Sequence, residues 1–117
     1  MGNFIVQQGD SLETISQGDS VKLGIQVAQD GGQANLTGFG VVFALDAGTT
    51  ALTKTDQGGV DMASAASGLV VVQLDGADTT GLTPGLHYWE VKVRDGSQKL
   101  ARVAKGWLMV EEALVKA

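Results

Sequence analysis

The sequence predicts a single domain that consists of β-strands folded as two packed sheets. Short apolar or alternating runs recur about every ten residues along the chain, and turn residues separate them, which is typical of a β-sandwich or small barrel. The 17 glycines among 117 residues suit the many turns that such a fold requires. No segment has the apolar spacing of an amphipathic helix, so an all-β class follows.

Eight segments carry the strand signal. They alternate apolar and polar residues, or they are rich in β-branched side chains, and turn residues bound them. The predicted strands are Leu12–Ser16, Val21–Val27, Gly40–Asp46, Ala51–Thr55, Val60–Ala65, Gly68–Asp75, His87–Arg94 and Lys99–Glu111. Ala51–Thr55 is short and polar, which is typical of an edge strand. One domain over residues 1–117 then has an N-terminal arm at 1–10 and a C-terminal tail at 111–117.

The last two strands form a predicted hairpin. Asp95-Gly96 lies between them, and Asp-Gly is a strong signal for a tight hairpin turn. Gly106 interrupts the second strand, and a glycine inside a strand pattern often marks a β-bulge. We therefore expect a bulge at Gly106.

Alternation also predicts which side chains form the core. In a strand, residues two apart lie on the same face of the sheet, so one alternate set is buried and the other is exposed. The residues expected to be buried are Leu23, Ile25, Val42, Leu69, Val71, Trp89, Val91 and Val93.

A long connection, Asp75–Gly85, joins two of the predicted strands. We expect Leu82 to pack beneath it as an apolar plug and Pro84-Gly85 to turn the chain into the next strand. In immunoglobulin-like sandwiches a tyrosine hydroxyl often ties down this corner. Alternation puts His87 on the inward face with Trp89 and puts Tyr88 on the opposite face, so either His87 or Tyr88 could make the corner bond.

Charge is divided unevenly along the chain. The net charge of −5 argues against binding bare nucleic acid through its phosphates, which needs a basic surface. Residues 1–91 carry −8 and residues 92–117 carry +3. The basic side chains of the final hairpin are Lys92, Arg94, Lys99, Arg102 and Lys105. They form either a solvated outer face, as charge runs usually do, or an electrostatic docking surface.

No constellation of residues points to an enzyme. His87 is the only histidine, and the sequence has neither a cysteine nor a Gly-x-Ser-x-Gly motif to accompany it. Asp75 and Asp78 carry the oxygen ligands that calcium prefers, but Asp is also an ordinary turn residue. We therefore expect no catalytic residue, no cofactor and no metal. No apolar run approaches the roughly 18 residues of a membrane span.

Two tryptophans could stack on a sugar ring or on a partner protein. Trp89 is expected in the core beside Val91 and Val93, whereas Trp107 is the better candidate for exposure. The six aromatic residues, three Phe, two Trp and one Tyr, are too few for a broad carbohydrate platform. We therefore assign Trp107 to the same hypothetical interaction surface as the basic hairpin.

Three segments, taken in order, carry a resemblance to a known family. They are GDSVKLGIQVAQDGGQANLTGFGVVFAL (Gly18–Leu45), SGLVVVQLDGADTTGLTPGLHYWEVKV (Ser67–Val93) and KGWLMV (Lys105–Val110). Their order of turn and strand motifs resembles the immunoglobulin-like N-terminal domain of phage upper-baseplate proteins and related small phage tail proteins. The resemblance implies an immunoglobulin-like β-sandwich of about seven or eight mostly antiparallel strands.

The resemblance also implies a function. It points to a non-enzymatic structural component of a phage particle, in the tail or baseplate, assembled in the bacterial host and contacting other virion proteins or repeated copies of itself. A capsid-decoration subunit and a glycan-binding surface module are the alternatives. For self-assembly, the basic hairpin of one subunit would lie against the acidic body of a neighbour, a heterologous contact that builds rings or stacks.

Overall fold

The structure is a computed structural model that describes residues 3–8, 12–29, 32–33, 35–48, 50–94 and 100–114. The strands within them are β1 (Asn3–Gln8), β2 (Leu12–Ser16), β3 (Val21–Gln26), β4 (Ala28–Gln29), β5 (Gly32–Gln33), β6 (Gly40–Asp46), β7 (Ala51–Thr55), β8 (Val60–Asp61), β9 (Leu69–Leu74), β10 (Gly85–Arg94) and β11 (Leu100–Glu111). The described helical elements are a 3-10 turn (Ala65–Ser67) and a five-residue helix, α1 (Gly76–Thr80).

Nine of the described strands make two sheets that enclose one core, and β4 and β5 form a separate two-stranded sheet. One sheet has four strands in the order β1-β3-β9-β8, and the other has five in the order β2-β11-β10-β6-β7. Within these two sheets, β1 pairs with β3 and β2 with β11 in parallel, and the other neighbours are antiparallel. Eight of the described strands have five or more residues. The predicted all-β sandwich is confirmed.

Most strand bounds agree with the sequence-based expectation. Three strands match it residue for residue: Leu12–Ser16, Gly40–Asp46 and Ala51–Thr55. The last of these, β7, lies at the edge of its sheet as predicted. The prediction for Val60–Ala65 is wrong beyond Asp61, because Ala65 begins the 3-10 turn.

One predicted segment differs from the structure, and another lies outside the described residues. Residues 3–8, which the sequence placed in an N-terminal arm, form β1 and pair with β3. The expected hairpin turn at Asp95-Gly96 lies outside the described residues, and so does Lys99.

The core prediction is confirmed for two of the four strands that it covered. Leu23, Ile25, Trp89, Val91 and Val93 are all buried. The prediction is wrong for Val42, Leu69 and Val71, which are only half-buried. The buried side chains of those two strands are their immediate neighbours, namely Val41, Phe43, Leu45, Val70, Val72 and Leu74.

The reason for this error is the lack of alternation in the two strands. Each contains a continuous apolar run, VVFAL or LVVV, so the pattern does not say which alternate set faces inward. Cross-strand pairing decides it, because residues directly opposite each other share a face. Phe43 lies opposite Val91, and Val72 lies opposite Leu23.

Gly106 is not a bulge. It pairs in register with Trp89, and the irregularity falls between Val91 and Lys92, where Val103 is the extra residue on β11. An aromatic ring opposite a strand glycine can cover the exposed backbone. Gly106 therefore indicates a position where the neighbouring strand presents a large side chain, that of Trp89.

The connection after β9 contains the short helix that the sequence did not predict. Five residues are too few for a helical apolar period to appear. Asp75 and Asp78, considered above as calcium ligands, form its capping box, and the Asp75 N–H donates to Asp78 Oδ2 at 2.8 Å. Leu82, just beyond the helix, is buried as predicted, with 2% of its surface exposed.

The helix packs on the turn between β2 and β3. The buried Thr79 hydroxyl donates to the Asp19 carbonyl at 2.7 Å, and the Gly76 N–H donates to Ser20 Oγ at 3.1 Å. The buried Gln17 side chain donates to the Leu82 carbonyl at 2.8 Å. We call this set of contacts the corner seat. A Cβ at Gly76 would lie 2.9 Å from the Gly18 carbonyl oxygen, so only glycine allows this approach.

His87 makes the corner bond that the sequence left open between two residues. Its buried ring places Nδ1 at 2.6 Å from the Asp46 carbonyl oxygen and Nε2 at 2.8 Å from that of Thr83. These two contacts tie the β6 end and the 82–85 turn to β10. Tyr88 lies on the opposite face, as alternation predicted.

Asp56 provides an interaction that acid will weaken. Its Oδ1 accepts a hydrogen bond from the Val41 N–H at 3.1 Å. This bond, opposed by burial and assisted by Gln57 and the charge of Arg94, lowers the pKa of Asp56 below its ordinary value of 3.8. The ionised carboxylate therefore stabilises the folded state.

We predict that Asp56→Asn flattens the loss of stability in acid. A lowered folded-state pKa gives a contribution that is complete above the unfolded-state value and is lost as the pH falls through the folded-state value. Urea unfolding at about pH 7 and about pH 2.5 should show a smaller loss in the variant than in the wild type. Equal losses in the two proteins would contradict this role.

Candidate docking face

The candidate site is the outer surface of β10 and β11 in the five-stranded sheet. Trp89, Val91, Leu108 and Val110 point into the core, so the alternate residues of both strands point outward. The outward pairs, from the hairpin end to the corner end, are Lys92 with Arg102, Glu90 with Lys105, Tyr88 with Trp107, and Leu86 with Met109. With Arg94 at the hairpin end and Glu111 at the corner end, we call this surface the β10–β11 face.

Two aromatic rings occupy the centre of the face. The ring centroids of Tyr88 and Trp107 lie 5.4 Å apart with planes at 62°, an edge-to-face contact that aromatic pairs favour. Trp107 remains 45% exposed, and Leu86 beside the pair is 54% exposed. Large exposed apolar side chains that adjoin one another often mark an interaction site.

The basic side chains of the face surround one acid. Arg102 Nη1 lies 3.6 Å from Glu90 Oε2, and Lys92 Nζ lies 3.9 Å from Glu90 Oε1. Arg102 Nη1 also donates to the Tyr88 hydroxyl at 3.2 Å. Exposed ion pairs of this kind add little stability. Their consequence is that they hold the Arg102 side chain beside the Tyr88–Trp107 pair.

The structure brings together five of the six residues singled out from the sequence. Lys92, Arg102, Lys105 and Trp107 lie on the face. Arg94 lies at its hairpin end, opposite Leu100 and Gly40. Lys99 lies outside the described residues.

Sequence reasoning missed the other half of the face. Leu86, Tyr88, Glu90 and Met109 were not assigned to it, although alternation around Trp89 already put Tyr88 and Glu90 on the outer side. The pairing of Leu86 with Met109 could not be known without the register of the hairpin.

Several acidic residues lie at the opposite end of the sandwich. Asp19 takes part in the corner seat, Asp75 and Asp78 cap α1, and Asp46 ends β6 beside His87. The Lys54 ammonium reaches this group and lies 2.9 Å from Asp78 Oδ2. The charge division seen in the sequence is only partly a division between the two ends, since Asp56 lies near Arg94 at the hairpin end and Glu90 lies among the basic side chains.

The other candidate sites have structural roles. Both ring nitrogens of His87 lie against carbonyl oxygens in the corner, so the ring joins two parts of the chain there. Among the residues that the structure describes, no three His, Asp or Glu side chains cluster as metal ligands would. The helices found in the described ranges are too short and polar to cross a membrane.

Comparison with known proteins identifies a shared fold. No known protein family matches the sequence, and no curated protein matches it. Among solved structures, the N-terminal domain of phage TP901-1 ORF48 matches with a TM-score of 0.67 and 14% sequence identity. The match covers 94% of this chain and 98% of that chain. The two chains therefore share a fold over nearly their whole lengths.

Proposed function

We propose that this chain is a structural component of a phage particle, associated with the tail or baseplate, that acts through protein–protein contacts. The observation that carries the proposal is the likeness to the N-terminal domain of phage TP901-1 ORF48 over 94% of the chain. The role is non-enzymatic, and its place is the virion.

The strand order supports the immunoglobulin-like architecture that the resemblance implies. In variable-type immunoglobulin domains the longer sheet contains the last two strands, the third strand and an added edge strand. The sheet β2-β11-β10-β6-β7 has that arrangement, with β11 and β10 as the last pair. An immunoglobulin-like sandwich is therefore the architecture we assign.

The β10–β11 face supplies the contact surface. Protein interfaces are enriched in aromatic residues, Met and Arg, and their strongest contributors are usually Trp, Tyr and Arg. Tyr88 contacts both Arg102 and Trp107 here. The partners would be other virion proteins or further copies of this chain.

The test is incorporation into particles. We expect mass spectrometry of gradient-purified particles, produced from the genome that encodes this chain, to find it in repeated copies. Supplying the Arg94→Glu, Arg102→Glu double variant in place of the wild type should leave the melting curve of the purified protein intact but deplete it from particles. Lys22→Glu, a charge reversal on the other sheet, is the matched control. Absence of the wild-type chain from purified particles would overturn the proposal.

A second candidate function, glycan binding, draws support from the exposure of Trp107. A ring that is 45% exposed beside Tyr88 and the Glu90 carboxylate offers a stacking surface with hydrogen-bonding groups. A glycan array probed with the wild type and with Trp107→Ala distinguishes the two functions. Binding that disappears in the variant would favour this candidate, whereas no binding by the wild type would remove it.

A further inference from the structure

The net charge on the β10–β11 face changes sign along the strands, because the basic side chains outnumber Glu90 towards the hairpin end. Lys92 and Arg102 form a cross-strand pair at the hairpin end, and Glu111 closes the face at the corner end. The Tyr88–Trp107 pair lies midway, four residues along β10 from Lys92 and four residues along β11 from Glu111. Each distance is about 13 Å at roughly 3.3 Å per residue.

This arrangement is self-complementary under one particular two-fold axis. When two copies of the face pack together, an axis through the aromatic pairs and perpendicular to the strands places the hairpin end of each copy over the corner end of the other. Arg102 then faces Glu111 of the second copy, and the same contact occurs twice. An axis parallel to the strands would instead place basic side chains over basic side chains.

We propose that this chain forms an isologous dimer through the β10–β11 face, with Tyr88 and Trp107 at the two-fold axis and Arg102–Glu111 contacts on both sides. The proposal deepens the proposed function, since it names a second copy as a partner of the same face. It differs from the heterologous contact suggested by the sequence, because Arg102, the apolar centre and Glu111 all lie on one surface.

The geometry of sheet packing allows these contacts. Face-to-face sheets lie about 10 Å apart and cross at about 30°. At about 13 Å from the axis, this angle displaces opposing residues by about 7 Å. Arg and Glu side chains are long enough to meet across that distance.

The area of the face predicts a weak, reversible dimer. Two strands at about 4.8 Å spacing and about eight residues at 3.4 Å cover roughly 260 Å² per subunit, or about 520 Å² in total. Transient complexes have interfaces below about 1,200 Å². The dimer should therefore dissociate on dilution, and salt should weaken it by screening the outer contacts.

Charge reversal with mixing tests the arrangement directly. We expect sedimentation velocity of the wild type across the micromolar range to show a monomer–dimer equilibrium. Arg102→Glu and Glu111→Arg should each be monomeric, since each homodimer would oppose like charges twice. An equimolar mixture of the two variants should dimerise again, because each mixed pair restores both contacts.

Two further variants complete the experiment. Trp107→Ser should abolish the dimer and leave the melting temperature nearly unchanged, and Lys22→Glu should dimerise like the wild type. A wild-type monomer at all concentrations, a dimer that survives Trp107→Ser, or growth into larger oligomers would overturn the isologous arrangement. The proposed function is overturned only by the absence of the wild-type chain from purified particles, so its failure and the failure of the dimer are distinguishable.

Discussion

Truncating Trp89 to alanine is expected to lower the free energy of unfolding by about 3–5 kcal/mol, as for other large core aromatics. The indole is fully buried, its ring centroid lies 6.1 Å from that of Phe43, and it lies between Leu45 and Gly106 on the neighbouring strands. Small domains have only about 5–15 kcal/mol of total stability. Urea unfolding of the variant should therefore show a greatly reduced midpoint or no folded baseline.

Two controls separate packing from other effects. Trp107→Ala removes the same side chain from the outer face and should cost less than about 1 kcal/mol, as most surface substitutions do. Trp89→Phe should cost less than the alanine variant, because a phenyl ring refills part of the space and because the buried indole N–H has no hydrogen-bond partner among the described residues. A Trp89→Ala loss no greater than that of Trp107→Ala would contradict the register of β10.

Val72→Lys is expected to unfold the domain, whereas Val71→Lys is expected to be tolerated. Val72 is fully buried opposite Leu23, and an unpaired buried charge costs several kcal/mol. Val71 is half-buried on the outer side of the sheet and lies opposite Asp61, where a lysine gains a cross-strand partner of opposite charge. Far-ultraviolet circular dichroism and thermal unfolding of the two variants provide the measurement.

This pair of variants checks which alternate set of β9 side chains faces the core. The sequence alone did not determine this. Similar losses of stability in both variants would show that the strand is buried on both sides. A greater loss of stability from Val71→Lys would mean that Val71 faces the core, as the sequence predicted. It would contradict the pairing of Val72 with Leu23.

Alternation of apolar and polar residues determines where the buried side chains could be predicted correctly. Alternation was clear around Trp89 and in Val21–Val27, so the inward set was predicted correctly there. It was absent in VVFAL and LVVV, where only the neighbouring strand decides which face is buried. The bulge predicted at Gly106 was wrong for the same reason, because the role of a strand glycine depends on the residue that pairs with it.

The docking face was predictable only in part for a related reason. Charge and exposure were visible along the chain, so Lys92, Arg102, Lys105 and Trp107 were singled out. The contact of Arg102 with Tyr88 and the reversal of charge along the face depend on hairpin register. The corner seat could not be predicted from the sequence either, because its hydrogen bonds join residues that are 56 to 65 positions apart.

The corner seat has a consequence for the time course of folding. Gln17, Asp19 and Ser20 can engage Gly76, Thr79 and Leu82 only after a long loop of chain has closed, and loop closure costs entropy before any contact repays it. Sandwiches dominated by such distant pairings fold in milliseconds to seconds, far more slowly than helical bundles. The helix α1 should therefore dock late, after β3 and β9 have paired. Until then the end of the β3–β9 ladder at Val21 and Leu74 remains untethered, and an unfinished chain exposes strand edges to its neighbours on the ribosome.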